Sequence, residues 1–285
     1  MRHRRHRREA GVARGAVASD KLVVLVTGFA VTFAAVALLS PRLLASGSVV
    51  RHQLAAATSF SGTPPAQLPS ALDIQRVVPL SDPTGATRWA PVLRATTARS
   101  RPTVRSATVG PLPARTPDGT TNIVVADGEA TARGTQWVHV RLALLPNDTQ
   151  GWVPRNALGG WSFVETRLVI SRARLTATLF RAGHVIFRAP VGVGARGTPT
   201  PAGTFYVRDR LTGFTNPMYG PLAFGTNARS PTLTDWPGGG VVGIHGTDQP
   251  NLIPGRISHG CVRLTNTSIV RLGKLMPIGT PVVIQ

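Results

Sequence analysis

The chain has 285 residues, of which 42% are hydrophobic, which is typical of one or two folded domains and excludes a chain that is disordered throughout. Lys and Arg number 32 against 12 Asp and Glu, giving a net charge of +20, and this favours a negatively charged partner without choosing among nucleic acid, lipid head groups and other polyanions. The single cysteine excludes an intrachain disulfide.

The first predicted element is a membrane segment. Residues 1–21 are rich in arginine, and residues 22–39 form an apolar run without charge. As a helix this run would span about 27 Å, close to the hydrocarbon thickness of a bilayer. We therefore predict a cytoplasmic basic tail at 1–21 and a single-pass anchor or signal at 22–40, with everything after it on the extracytoplasmic side. Small residues at 45–47 leave cleavage and export open. The basic tail then reads as a topology signal, and no nucleic-acid partner is predicted.

A linker and a small β domain are predicted next. Residues 41–86 are rich in Ser, Ala, Pro and Thr, which is typical of a spacer. Residues 87–160 contain strand patterns at 121–125 and 137–142, with turn signals at 117–119 and 146–148. The pattern around Trp137 and Trp152 resembles the end of bacterial SH3-like domains, which implies a small barrel. Core packing explains at least one of these tryptophans equally well.

The C-terminal region, residues 161–285, is predicted to be a second β-rich domain. Strand patterns recur at 168–170, 177–180, 185–187 and 204–207, and residues 181–183 predict a hairpin turn. Ile269, Leu272 and Met276 have helical spacing, Pro277 ends that helix, and residues 281–284 form a closing strand. The predicted fold class is therefore mainly β with a short C-terminal helix.

Reactive side chains concentrate in two segments of this domain, 241–247 and 257–264. The thiol of Cys261 attacks a carbonyl as a thiolate, and an imidazole can take its proton. His245 can approach across an adjacent strand, whereas His259 lies two residues before the cysteine. Gly260 permits a sharp turn, so that nearby N–H groups could face an oxyanion, and Arg263 offers a bidentate fork for a carboxylate.

Other interpretations of these residues remain open. Cys261 alone could be a buried structural residue, and a zinc site from His245, His259 and Cys261 is conceivable, although no structural-zinc spacing is present. Asp235 and Asp248 flank the region and are expected to hold turns. We predict no metal and no cofactor.

Three linked motifs, at 200–205, 244–247 and 258–264, resemble the YkuD-type L,D-transpeptidase catalytic domain from residue 167 to the C-terminus. The resemblance implies that Cys261 is the acyl acceptor and that His245 is the base, oriented by the carbonyl of Gly246. It also implies that Ser258, His259 and Gly260 shape the oxyanion side. Arg263, Ser258, Gly246 and a flap aromatic, Tyr219 or Phe214, are the residues expected to contact substrate.

The reaction implied by the resemblance is acyl transfer on peptidoglycan stem peptides. Cys261 expels the terminal D-alanine of a tetrapeptide stem, and an amine of a second stem resolves the thioester into a 3→3 cross-link. Water as acceptor gives L,D-carboxypeptidase activity, and another amine gives attachment to the wall. A non-catalytic wall-binding scaffold is the alternative from a different class. The sequence predicts no oligomeric state.

Overall fold

The computed structural model describes residues 76–82, 85–233 and 240–285, and the described chain is mainly β with a short C-terminal helix, which confirms that part of the predicted fold class. The predicted basic tail, the membrane segment and most of the linker lie outside the described residues. Within the described ranges, the structure has no helix that is both long and apolar enough to cross a membrane.

The first sheet is built from eight strands between residues 78 and 164. They are β1 (Val78–Pro79), β2 (Thr87–Pro91), β3 (Thr96–Arg99), β4 (Thr108–Leu112), β5 (Ile123–Ala132), β6 (Thr135–Arg141), β7 (Gln150–Pro154) and β8 (Ser162–Val164).

The long central strand β5 organises the first sheet, because it pairs with β1, β2 and β6. The strand order is β4-β3-β7-β6-β5-β2-β8, and all of these pairings are antiparallel. Val124, Ala126, Val138 and Val140 alternate along β5 and β6 into one apolar core, as expected for strands with one buried face. The resemblance to SH3-like domains stays a prediction.

The second sheet is built from ten strands between residues 166 and 284. They are β9 (Thr166–Ser171), β10 (Thr176–Arg181), β11 (His184–Pro190), β12 (Gly192–Gly194), β13 (Gly203–Thr212), β14 (Leu222–Arg229), β15 (Val241–His245), β16 (Gly255–Ser258), β17 (Val262–Arg263) and β18 (Pro281–Ile284).

The order of the second sheet is β11-β10-β9-β18-β13-β14-β15-β17-β12-β16. Three of its pairings are parallel, β9 with β18, β15 with β17 and β12 with β16. The predicted hairpin turn joins β10 to β11, with Ala182 at φ 46° and Gly183 at φ 81°, the left-handed conformation that such turns require.

The helix α1 (Asn266–Leu275) packs on the second sheet as its apolar spacing predicts. Thr265 caps it, because the Thr265 hydroxyl accepts a hydrogen bond from the Ser268 N–H. Ile269 and Leu272 are fully buried in the core of the sheet. Pro277 follows the C-cap, so the chain leaves the helix and returns as β18.

The two sheets belong to one compact unit and meet through buried polar groups. The Tyr206 hydroxyl donates to the carbonyls of Ile123 (3.1 Å) and Arg141 (3.2 Å). Burial raises the pKa of Tyr206 to about 12, so the phenol keeps its proton and remains a donor. Arg208 donates from Nε (3.2 Å) and Nη2 (3.0 Å) to Oδ1 of Asn122. These bonds fix the second sheet against the first and give the buried Tyr206 hydroxyl and Arg208 guanidinium hydrogen-bond partners.

Candidate active site

Two parallel strands bring the predicted nucleophile and base together. In the register of β15 with β17, Ile244 lies opposite Val262 and His245 lies opposite Arg263. Cys261 immediately precedes β17, so its side chain points to the same face as that of Arg263, two residues later. Fifteen residues lie between His245 and Cys261 in sequence, and the pairing of β15 with β17 brings the two together.

Gly243 lies between the thiol and the imidazole. Its N–H donates a hydrogen bond to Sγ of Cys261 (3.3 Å). A Cβ atom at Gly243 would lie 3.8 Å from Sγ of Cys261 and 3.8 Å from Cδ2 of His245. Sulfur and ring therefore border the same small space, and the absence of a side chain at this position keeps it open.

His245 is held as a neutral imidazole in a fixed tautomer. Its side chain is 2% exposed, and its Nδ1 lies 2.6 Å from the carbonyl oxygen of Gly246. Because a carbonyl only accepts, Nδ1 carries the proton and Nε2 is left as the basic nitrogen. Burial lowers the pKa of His245 to about 4; the bond to Gly246 opposes this shift, and the charge of Arg263 adds to it.

Asn266, which no sequence motif identified, fixes the segment that orients His245. Its Oδ1 accepts from the N–H of Thr247 (2.9 Å) and lies against the backbone of Gly246. Gly246, predicted to contact substrate, is not among the residues lining the described pocket; its carbonyl is used to orient His245 instead.

Cys261 is partly exposed and lines a pocket. Burial raises the pKa of its thiol, while the N–H of Gly243 and the charge of Arg263 act in the opposite direction. The thiol and the His245 imidazole are therefore both uncharged at neutral pH. This arrangement suits proton transfer during nucleophilic attack rather than a resting thiolate–imidazolium pair.

The backbone at Cys261 is held by hydroxyl groups. Oγ of Ser258 donates to the Cys261 carbonyl (2.5 Å) and accepts from the Gly260 N–H (3.2 Å), while the Thr200 hydroxyl donates to the Gly260 carbonyl (2.8 Å). Gly260 has a φ of 119°, which only glycine adopts readily. The Gly260 N–H is thus used inside the loop, and the expectation that N–H groups around Gly260 and Cys261 face an oxyanion stays a prediction. Thr200 belongs to the loop motif predicted from sequence.

One aromatic ring and one further predicted histidine line the pocket beside the pair. Tyr219 lines the pocket, and its ring meets the His245 ring edge-on with centroids 5.1 Å apart. Phe214 stacks behind Tyr219 at 5.3 Å, so Tyr219 is the ring at the site. His259 also lines the pocket, but its side chain is exposed, unlike that of His245.

Arg263 lies in the pocket with a side chain that is not fully paired. It is 8% exposed, and its buried Nε has no hydrogen-bond partner among the described residues. A buried guanidinium donor without a partner is costly unless a ligand supplies an acceptor. The role of Arg263 in carboxylate binding stays a prediction.

The rest of the pocket wall was not identified from the sequence. It consists of Met218, Ser230, Leu233, Gly240, Val241 and Val242. Val241 and Val242 lie in the segment 241–247 but were not themselves predicted to line a site, and the others flank a segment rich in Gly, Pro and Thr that has no strand period. Asp235 lies outside the described residues, and Asp248 is exposed. Within the described ranges, no group of three or more His, Cys, Asp or Glu side chains could hold a metal ion.

The comparison with known families places this site in a defined domain. The YkuD family model, described as the L,D-transpeptidase catalytic domain, matches residues 165–284. The YkuD protein of Bacillus subtilis strain 168, which its name assigns provisionally to the L,D-transpeptidases, is 34% identical over 118 residues, or 41% of this chain and 65% of that protein. The similarly named YqjB protein of the same strain is 31% identical over 102 residues, or 33% of this chain and 56% of that protein.

A solved mutant L,D-transpeptidase of Enterococcus faecium is 24% identical, with a TM-score of 0.34, covering 42% of this chain and 50% of its own. The chain spans less than two thirds of the length of the two curated relatives named above. The match over residues 165–284 contains the strand pair, the thiol and the buried imidazole described above. Residues 165–284, in the C-terminal part of the chain, therefore match the YkuD-type L,D-transpeptidase catalytic domain.

Proposed function

We propose that the protein is a peptidoglycan L,D-transpeptidase that forms 3→3 cross-links through a thioester on Cys261. One observation carries the proposal. The thiol of Cys261 and the neutral, oriented imidazole of His245 border the same space beside Gly243, which has no side chain to fill it. A nucleophile, a base and a group that orients the base are the parts that acyl transfer requires. The YkuD match supports the substrate class.

In the first step, Sγ of Cys261 attacks the carbonyl carbon that joins diaminopimelate to the terminal D-alanine. Nε2 of His245 takes the thiol proton and then gives it to the leaving amine, so the C–N bond breaks and free D-alanine departs. In the second step an amine of another stem attacks the thioester, His245 takes its proton, and the thiol is regenerated. No nucleotide, metal or redox partner enters this balance.

The oxyanion of each tetrahedral intermediate needs donors. Because Ser258 already uses the Gly260 amide, we assign this role to the N–H of Cys261 itself, whose peptide plane is held by the Thr200 bond to the Gly260 carbonyl. A single preorganised donor contributes about 3 to 4 kcal/mol to the stability of such a transition state.

Arg263 is proposed to bind a carboxylate of the donor stem. Its buried Nε has no acceptor within the described part of the chain, and its position two residues after the nucleophile places its charge beside the reacting carbonyl. Stem peptides carry free carboxylates, and a planar guanidinium binds such groups with two parallel hydrogen bonds. Tyr219 covers His245 and is proposed to close the site over the bound stem.

We also propose that the enzyme acts on the extracytoplasmic side of the membrane, anchored or exported by residues 22–40. The support is the uncharged apolar run after an arginine-rich tail. A reaction that needs no nucleotide suits that compartment.

Mass spectrometry of products from purified tetrapeptide stems tests the proposed reaction. The parent chain should give 3→3 dimers and released D-alanine, and Cys261→Ala should give neither while its fold is kept. Tripeptides without dimers would assign carboxypeptidase activity, and adducts with another added amine would assign a different acceptor. Unchanged products from Cys261→Ala would reject a thioester, and wall binding without products from the parent would favour the scaffold alternative.

A further inference from the structure

One side chain of the first sheet pairs with the backbone of a strand that leads into the catalytic pocket. Oδ1 of Asn147, in the loop between β6 and β7, accepts from the N–H of Arg229 (2.9 Å), and its Nδ2 donates to the Arg229 carbonyl (2.8 Å). Two antiparallel strand residues exchange the same two bonds when they face each other. The amide of Asn147 therefore replaces a neighbouring strand at the end of β14.

The same loop also holds the side chain of Arg229. Nε of Arg229 donates to the carbonyl of Ala143 (3.1 Å), four residues before Asn147. Arg229 is half-buried, and burial lowers the pKa of its guanidinium, so the contact takes place in a partly desolvated junction. The backbone and the side chain of Arg229 are thus both bonded to the loop between β6 and β7.

Arg229 is where the catalytic pocket wall begins. It lies opposite Val241 in the pairing of β14 with β15, and the next residue, Ser230, donates from its N–H to the carbonyl of Gly240 (2.8 Å). Ser230, Gly240 and Val241 all line the pocket that contains Cys261. Arg229 therefore adjoins this wall directly, through its pairing with Val241 and through the bond of the next residue to Gly240.

We propose that Asn147 is a positioning residue for the substrate-binding wall formed by Ser230, Gly240 and Val241, so that the first sheet sets the affinity of the catalytic domain for its stem peptide. The inference rests on the proposed acyl transfer for its substrate. Asn147 does not line the described pocket, and it acts only through the backbone of Arg229.

The test uses the full chain with Asn147→Ala, which removes both bonds, and Asn147→Asp, which keeps the shape and the acceptor but loses the donor. With a tetrapeptide stem and D-alanine release as the readout, we expect KM to rise about tenfold in both variants, the scale of one or two lost hydrogen bonds, with kcat within about twofold of the parent. A merely structural role would lower the amount of folded enzyme and leave KM unchanged.

Asn122→Ala is the matched control. Asn122 is also an asparagine of the first sheet that bonds across to the second, but its partner is the Arg208 side chain, which does not line the pocket. We expect this variant to lower the melting temperature with KM within about twofold of the parent. An equal rise of KM in Asn122→Ala, or an unchanged KM in both Asn147 variants, would overturn the inference.

Amide hydrogen exchange gives a readout that does not depend on the reaction. Exchange at the Ser230 N–H should accelerate at least about tenfold in Asn147→Ala and Asn147→Asp and stay near the parent rate in Asn122→Ala. If the parent releases no D-alanine, the proposed function fails, and the exchange data still decide whether Asn147 positions the wall. Parent-like exchange at Ser230 in both Asn147 variants would refute the positioning role.

Discussion

Protonation of His245 should make the folded state measurably less stable in acid. The pKa of this histidine falls from 6.5 to about 4 on folding because the ring is buried. A histidine with a lowered folded pKa is protonated first in the unfolded chain, so its contribution to stability is complete above pH 6.5 and is lost as the pH falls towards 4. A difference of about 2.5 pKa units, at 1.36 kcal/mol each, gives a full loss of about 3 kcal/mol in the free energy of unfolding. Somewhat over 2 kcal/mol of this is already lost at pH 4.5.

Urea unfolding of the full chain at pH 7 and pH 4.5 measures this loss. His245→Gln cannot titrate, but its amide can still donate to the Gly246 carbonyl, so it is the matched control. The carboxylates and the half-buried His139 remain in both proteins, and their contributions cancel in the difference. We expect the parent to lose about 2 kcal/mol more than His245→Gln between the two pH values. Equal losses would refute the conclusion that a buried, neutral imidazole stands beside the thiol.

Four substitutions test the surroundings of the thiol. Ser258→Ala removes the hydroxyl that holds the Cys261 carbonyl, so it should lower the free energy of unfolding in urea by about 1 to 3 kcal/mol and kcat about 100-fold. An unchanged kcat would contradict the conclusion that Ser258 holds the backbone at Cys261. Gly243→Ala fits without a clash, so thermal unfolding should stay near that of the parent, whereas D-alanine release should fall about 100-fold because a methyl group enters the space beside sulfur. Tyr219→Ala should raise KM several-fold and Phe214→Ala much less, and the reverse order would move the flap role to Phe214.

Local signals in the sequence were sufficient for much of the fold. The spacing of Ile269, Leu272 and Met276 predicted α1, and the turn at 181–183 predicted the β10–β11 hairpin, because helix period and turn chemistry are properties of adjacent residues. The pairing of β15 with β17 followed only from the expectation that His245 approaches across a strand. The long-range order of the second sheet left no such signal, since period 2 identifies a strand but not its neighbour.

The candidate site was predictable where chemistry demands a residue type. A lone cysteine with a histidine and an arginine in register points to acyl transfer, and the structure places Cys261, His245 and Arg263 in one region. Asn266 and Asn147 could not be identified, because each acts through backbone groups that only the folded chain brings near. The use of the Gly260 amide by Ser258 depends likewise on a local backbone conformation that the sequence does not specify.

The central claim is that Cys261 carries the acyl group, and the intact mass of the protein tests it most directly. The full chain is mixed with a tetrapeptide stem, quenched in acid within the first turnovers and weighed. We expect the mass of the parent chain to increase by that of the stem peptide minus D-alanine, with the acyl group on Cys261, and the mass of Cys261→Ala to stay unchanged. D-alanine release by Cys261→Ala at the parent rate, or an acyl group located on another residue, would contradict it.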